Sequence, residues 1–124
     1  MQNDVRIQAG DVQLTGELAL PADCRGVVLF AHGTGSTRFS PRNQFVAQSL
    51  GSAGFGTLLF EMLTTDEAAL DLRSASVAHF NVPLLARRLV AATQWLRSQP
   101  QIGDAAIGYY GASTGGGVVM AAAA

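Results

Sequence analysis

The sequence predicts an α/β domain: a mostly parallel sheet with helices on both faces, entered through an antiparallel hairpin. Three observations carry this. Two segments of strict apolar–polar alternation open the chain and meet at Gly10-Asp11. Three continuous apolar runs, GVVLFA, GTLLF and AAIGYY, follow at wide intervals. Segments with helix-start chemistry or helical spacing separate those runs, and strand–helix alternation is the pattern of parallel sheets.

Each element has its own local reason. Val5, Ile7 and Ala9 alternate with polar residues, as do Val12, Leu14, Gly16, Leu18 and Leu20, so the hairpin buries one face and ends at Pro21. GVVLFA is apolar throughout, as a strand covered on both sides must be. The glycine-rich loop HGTGSTRFS follows. Ser40 stands at an N-cap and Pro41 at the first helical position of PRNQFVAQSLGSA, which Gly54 ends. GTLLF, residues 56 to 60, is the second buried strand. Residues 61 to 80 hold no sustained period, with a short helix expected around 66 to 72. From Asn81, as a cap, VPLLARRLVAATQWLRSQ sets Leu85, Leu89, Ala92 and Leu96 on one inward face. Arg87 and Arg88 are expected to face solvent, and Trp95 to pack. Pro100 and Gly103 end this helix, and AAIGYY is read as a third buried strand.

Composition narrows the functional classes. With 124 residues, 48% hydrophobic and 14% charged, the chain is expected to be globular and to form one domain, residues 1–124, without linker or repeat. The net charge is -1, there is no Lys, and the Arg residues are scattered, so nucleic acid is not an expected partner. The single Cys24 forms no internal disulfide and reads as an ordinary thiol of a reducing compartment. MQNDVRIQAG lacks a basic stretch leading into an apolar one, and no run has the length of a membrane span. A cytoplasmic protein away from membranes is the expectation.

AAIGYY runs directly into GASTGG. A serine hydroxyl is a weak nucleophile and has to be presented at the carboxyl edge of a sheet, which a sharp strand-to-helix turn achieves in a strained backbone conformation. Positions two before and two after the serine crowd neighbouring backbone, and Gly111 and Gly115 occupy them around Ser113. Gly115, Gly116 and Gly117 let the next helix approach the strands. Acyl transfer also develops a negative oxygen that needs two preorganised N–H donors. One is the amide of Thr114, the residue after the nucleophile. The other is expected in the loop after an earlier strand, where His32-Gly33-Thr34 places Thr34. His32 and Gly33 are candidate site-lining residues, with packing of the loop as the plainer role for His32. Glu61, at the end of GTLLF, is read either as a site carboxylate or as one that fixes a loop. His79 is given no role. Thr34, Ser36, Arg38 and Ser40 read as a solvated, helix-capping loop, with contact to an anionic substrate as the alternative.

These stretches resemble the α/β-hydrolases, in particular the dienelactone-hydrolase-like branch. VVLFAHGTGSTRFSPRNQFVAQSL, GFGTLLFEMLT, VPLLARRLVAATQWLR and IGYYGASTGG carry the likeness, over most of residues 26 to 117. The resemblance implies a three-layer sandwich and hydrolysis of small-molecule esters, lactones and related acyl compounds, without a metal or an organic cofactor. Some relatives are joined to phosphoribosyltransferases, an activity for which no residues here speak. One departure is Ser113, where the branch's namesake has Cys.

In this family the triad follows the order Ser, then Asp or Glu, then His. After Ser113 the sequence reads TGGGVVMAAAA, with neither. The chain is therefore expected to be the N-terminal portion of such a domain, incomplete on its C-terminal side, with residual activity at best. Two other readings stand beside this one. GTGSTR after a strand offers Gly33-x-Gly35 of a nucleotide-binding module, with Arg38 at the third glycine's place. An incomplete domain would also leave its last strand, residues 105 to 110, as an open edge through which the chain self-associates.

Overall fold

A computed structural model of the chain describes residues 2–31, 40–64, 66–67 and 82–111. The two alternating segments form strands β1 (Gln2–Ala9) and β2 (Val12–Ala19), joined by the Gly10-Asp11 turn. Their register sets Ile7 opposite Leu14 and Ala9 opposite Val12. Ile7 and Leu14 are buried on one face, as their alternation requires. The Gln8 side-chain amide donates to the carbonyls of Gly10 and Val12, bracing the turn.

Strand β3 is Val27–Ala31, and helix α1 is Pro41–Ser52. Ser40 caps α1 as its sequence predicts, its hydroxyl accepting from the Asn43 amide at 3.5 Å, with Pro41 opening the first turn. At the other end Gly54 takes φ +93°, a conformation open to glycine and costly for most residues. Its amide donates to Gly51 and that of Phe55 to Leu50, each at 3.0 Å, the two bonds of a Schellman motif. That reversal delivers the chain into strand β4, Gly56–Phe60, buried at every position. Helix α2 spans Val82–Arg97 and strand β5 Ile107–Gly111. Arg97, in the last turn of α2, donates to the carbonyls of Gly103 and Ala105 and ties the helix end to the start of β5.

The five strands lie in the order β1-β2-β4-β3-β5 in one open sheet. β3 runs parallel to both β4 and β5, and the hairpin joins antiparallel through β2 and β4. The predicted α/β architecture, with its hairpin entry, is the observed one. Where β2 meets β4 the backbones approach closely: a Cβ built on Gly16 would lie 2.9 Å from Phe60 Cβ and 3.2 Å from the Leu59 carbonyl.

Alternate residues of β4 assign the two faces. Leu58 and Phe60 join one apolar cluster with Ile7, Leu14, Leu29 and the inward stripe of α2, Leu85, Leu89, Ala92 and Leu96. Leu89 and Leu96 are fully buried, worth about 1.5–3 kcal/mol each against exposure. Thr57 and Leu59 point the other way, toward Gln44 and Ala47 of α1. The sheet is thus the middle of three layers.

One expectation is corrected. AAIGYY reads as a strand covered on both faces, yet β5 is half exposed and Tyr109 retains 38% of its surface. The reason is lateral: among the described residues β5 is an edge strand, paired only with β3. Of the short helix expected over 66 to 72, Asp66 and Glu67 are helical, and the rest lies outside the described residues. No helix among the described residues is long and apolar enough to cross a membrane.

Candidate active site

The site is organised by the ladder between β3 and β5. The chain leaves β3 toward β4 on one side and returns to β5 on the other. In parallel sheets such a reversal opens a crevice at the carboxyl ends of the two strands between which it falls, here β3 and β5. The register pairs Phe30 with Tyr110 and Ala31 with Gly111, so both strands end level at that edge. The Phe30 and Tyr110 rings meet at 5.1 Å between centroids, tilted by 45°. On the opposite face the Tyr109 hydroxyl lies 2.9 Å from that of Thr93 on α2. Gly111 is therefore placed at the carboxyl edge. His32, Gly33, Thr34, Ser36 and Arg38, which follow β3, and Ser113, Thr114 and Gly115, which follow β5, lie outside the described residues, as does His79.

Glu61 continues β4 at the same edge. Its amide donates to the Thr15 carbonyl at 2.8 Å, extending the link with the hairpin. With Arg6, Gln13, Thr15, Thr64 and Asp66 it lines a polar recess of about 310 Å³. The structure brings Glu61 to the hairpin side of the edge, with β3 between its strand and β5.

Sequence reasoning missed a charged clamp. Arg88, expected in solvent, is buried on α2. Its guanidinium donates to both carboxylate oxygens of Glu67 at 2.8 Å and to the Met62 carbonyl at 3.1 Å. Glu67 also accepts from the Thr64 amide at 2.8 Å, while the Thr64 hydroxyl accepts from the Glu67 amide at 3.1 Å. That reciprocal pair is a capping box. The Arg88 hydrogen bonds hold the Glu67 carboxyl down at about 2 from 4.5, burial opposes this, and the Thr64 amide assists. In turn Glu67 pushes the Arg88 pKa up. The clamp fastens the segment after β4 to α2. Its readable signal is Thr64-x-x-Glu67, the capping-box spacing; the partner on α2 is a tertiary contact.

The remaining side chains behave more plainly. Arg87 is exposed, and Trp95 packs against the main cluster. The Cys24 thiol donates to the Gly26 carbonyl at 3.0 Å. Among the described residues no group of three or more His, Cys, Asp or Glu side chains is placed to hold a metal ion.

Comparison with known proteins agrees with the fold. No family model matches the chain. A dienelactone hydrolase of Anabaena variabilis is 47% identical and superposes with a TM-score of 0.95, over 99% of this chain and 56% of that one. The α/β hydrolase GrgF of Penicillium superposes at 0.80 with 19% identity, over 99% of this chain and 41% of its own. Two strains of Mycobacterium tuberculosis carry a protein whose name proposes a phosphoribosyl transferase, 47% identical over 98% of this chain. The chain spans about a quarter of those curated relatives, 26% of their length. The three-layer sheet and its strand order are those of the α/β-hydrolase fold. Among the solved structures it is similar both in sequence and in fold to that dienelactone hydrolase, 56% of whose length it spans.

Proposed function

We propose that this chain supplies the nucleophile and the oxyanion-binding half of a serine hydrolase site for esters or lactones. The supporting observation is the level ending of β3 and β5 at Ala31 and Gly111. Gly111-x-Ser113-x-Gly115 and His32-Gly33-Thr34 continue from those two ends. In this reading the Ser113 oxygen attacks the carbonyl carbon of a small acyl substrate. The Thr34 and Thr114 amides hold the oxygen as it becomes negative, each donor worth about 3–4 kcal/mol of barrier. A His takes the serine proton and returns it to the leaving alkoxide, and a carboxylate orients that His; water then releases the acyl group. Both groups would come from sequence beyond this chain.

The dienelactone hydrolase likeness supports hydrolysis in general, and the choice of acyl substrate is left to the pocket of the whole protein. The phosphoribosyl transferase name belongs to a chain of which this one matches 26%, and no described residue argues for that transfer here. The antiparallel hairpin ahead of the parallel strands speaks against the nucleotide-module reading. A cytoplasmic location is part of the proposal, supported by the lone thiol of Cys24.

Labelling with a fluorophosphonate tests it. The full-length protein should be labelled and its Ser113→Ala variant spared. Equal labelling of the two, or none in the parent, refutes the assignment.

A further inference from the structure

We infer that the cleft between α1 and the hairpin binds a small uncharged molecule that carries a hydroxyl on a flat apolar body, a phenol or an aromatic alcohol. This site is apart from the carboxyl edge and independent of the hydrolase reading. The cleft holds about 470 Å³, within the range of small-molecule sites. Two cross-strand pairs of β2 and β4, Glu17 with Leu59 and Ala19 with Thr57, make its floor. Leu20, which follows β2, and Phe55, which precedes β4, stand at one end. The Arg25 guanidinium lies 5.2 Å from the centre of the Phe55 ring and steadies it.

Thr57 carries the argument. It is only 3% exposed, yet among the described residues its hydroxyl has no hydrogen-bond partner. A buried hydroxyl left unpaired destabilises a fold, and native proteins keep few of them. Its desolvation has already occurred, so a ligand group that reaches it gains the bond at little further cost. Around this polar point Ala19, Leu20, Phe55 and Leu59 offer apolar surface and an aromatic ring. One orienting polar group in an apolar lining is the usual composition of a small-molecule site. Charge narrows the ligand further. Glu17 is the one ionisable side chain among the described lining residues, so an anion meets a carboxylate there and no cation.

The test is titration of the full-length protein with 2-naphthol, followed by backbone amide shifts. Saturable shifts should centre on Ala19, Gly51, Thr57 and Leu59, with a dissociation constant of about 0.1–1 mM, the reach of so small a probe. 2-Naphthoate, of similar shape but negatively charged, should bind at least about tenfold more weakly. Thr57→Val should weaken 2-naphthol about three- to tenfold. It should also raise the melting midpoint of the free protein by about 2–5 °C, because it deletes an unpaired buried hydroxyl; a hydroxyl bonded within the fold would move the midpoint down. Gly51→Leu, at a lining position with open space around its Cβ, should block binding. No saturable shift in the parent overturns the inference. So do shifts centred elsewhere, parental affinity in Thr57→Val or Gly51→Leu, a lowered midpoint in Thr57→Val, or 2-naphthoate binding as well as 2-naphthol. None of these outcomes depends on whether Ser113 is a nucleophile.

Discussion

Glu67→Gln should destabilise the chain at neutral pH and lose most of that effect in acid. In the folded state the carboxyl sits at about 2, against 4.5 for a free one. If the whole difference came from folding, it would be worth roughly 3 kcal/mol at pH 7. The Glu67 side chain keeps 28% of its surface and Arg88 10%, so solvent screens part of the interaction and about 1–2 kcal/mol is the working figure. The sign follows from a depressed pKa: the contribution is complete above 4.5 and is lost as pH falls toward 2. More than half should be gone by about pH 3. Glutamine keeps one acceptor for Arg88 but forfeits the charge, leaving a buried guanidinium underpaired. Urea unfolding of parent and variant at pH 7 and pH 3 measures both penalties. A variant as stable as the parent at pH 7, or a penalty that does not shrink at pH 3, would refute the claim that an ionised Glu67–Arg88 clamp stabilises this fold.

Two further outcomes follow from backbone proximity and from the open edge. Gly16→Ala should cost about 1–3 kcal/mol, because its Cβ would meet Phe60 and the Leu59 carbonyl, whereas Gly51→Ala on α1 meets nothing within 4 Å and should gain up to about 1 kcal/mol; urea midpoints moving in the same direction would contradict this. The chain should also self-associate with rising concentration through β5, and Gly108→Lys, at an exposed position with open space around its Cβ, should suppress it. Sedimentation velocity reads this out, and a parent that stays monomeric ends the idea.

The sequence is most legible where local chemistry decides the outcome. Ser40-Pro41 sets where α1 begins, Gly54 where it ends, and GTLLF matches β4 residue for residue. The stripe of Leu85, Leu89, Ala92 and Leu96 faces the sheet as its spacing demands. Lateral position is legible only through chain order. IGYY has the composition of a central strand, and the reading of residues 105 to 110 as the last strand of an incomplete sheet is what makes it an edge, as it is among the described residues. Arg88 misleads for a related reason. It lies three residues from Leu85 and four from Ala92, inside the inward stripe, so its charge argues for solvent while its position argues for the core. Its acid partner sits in a stretch without period, where side-chain pairing rather than hydropathy sets the path. Of the candidate site, the ends of the strands are readable and are observed, with Gly111 opposite Ala31.

The phase relation between β3 and β5 has an evolutionary corollary. Segments distant in the gene are aligned by a few main-chain hydrogen bonds, so lengthening the connections around α1 or α2 leaves the alignment untouched. Inserting one codon inside either strand would turn alternate side chains over and offset the two ends by a residue. Relatives that diversify by growing loops between these strands, while holding both strands at constant length, are the variation this architecture permits.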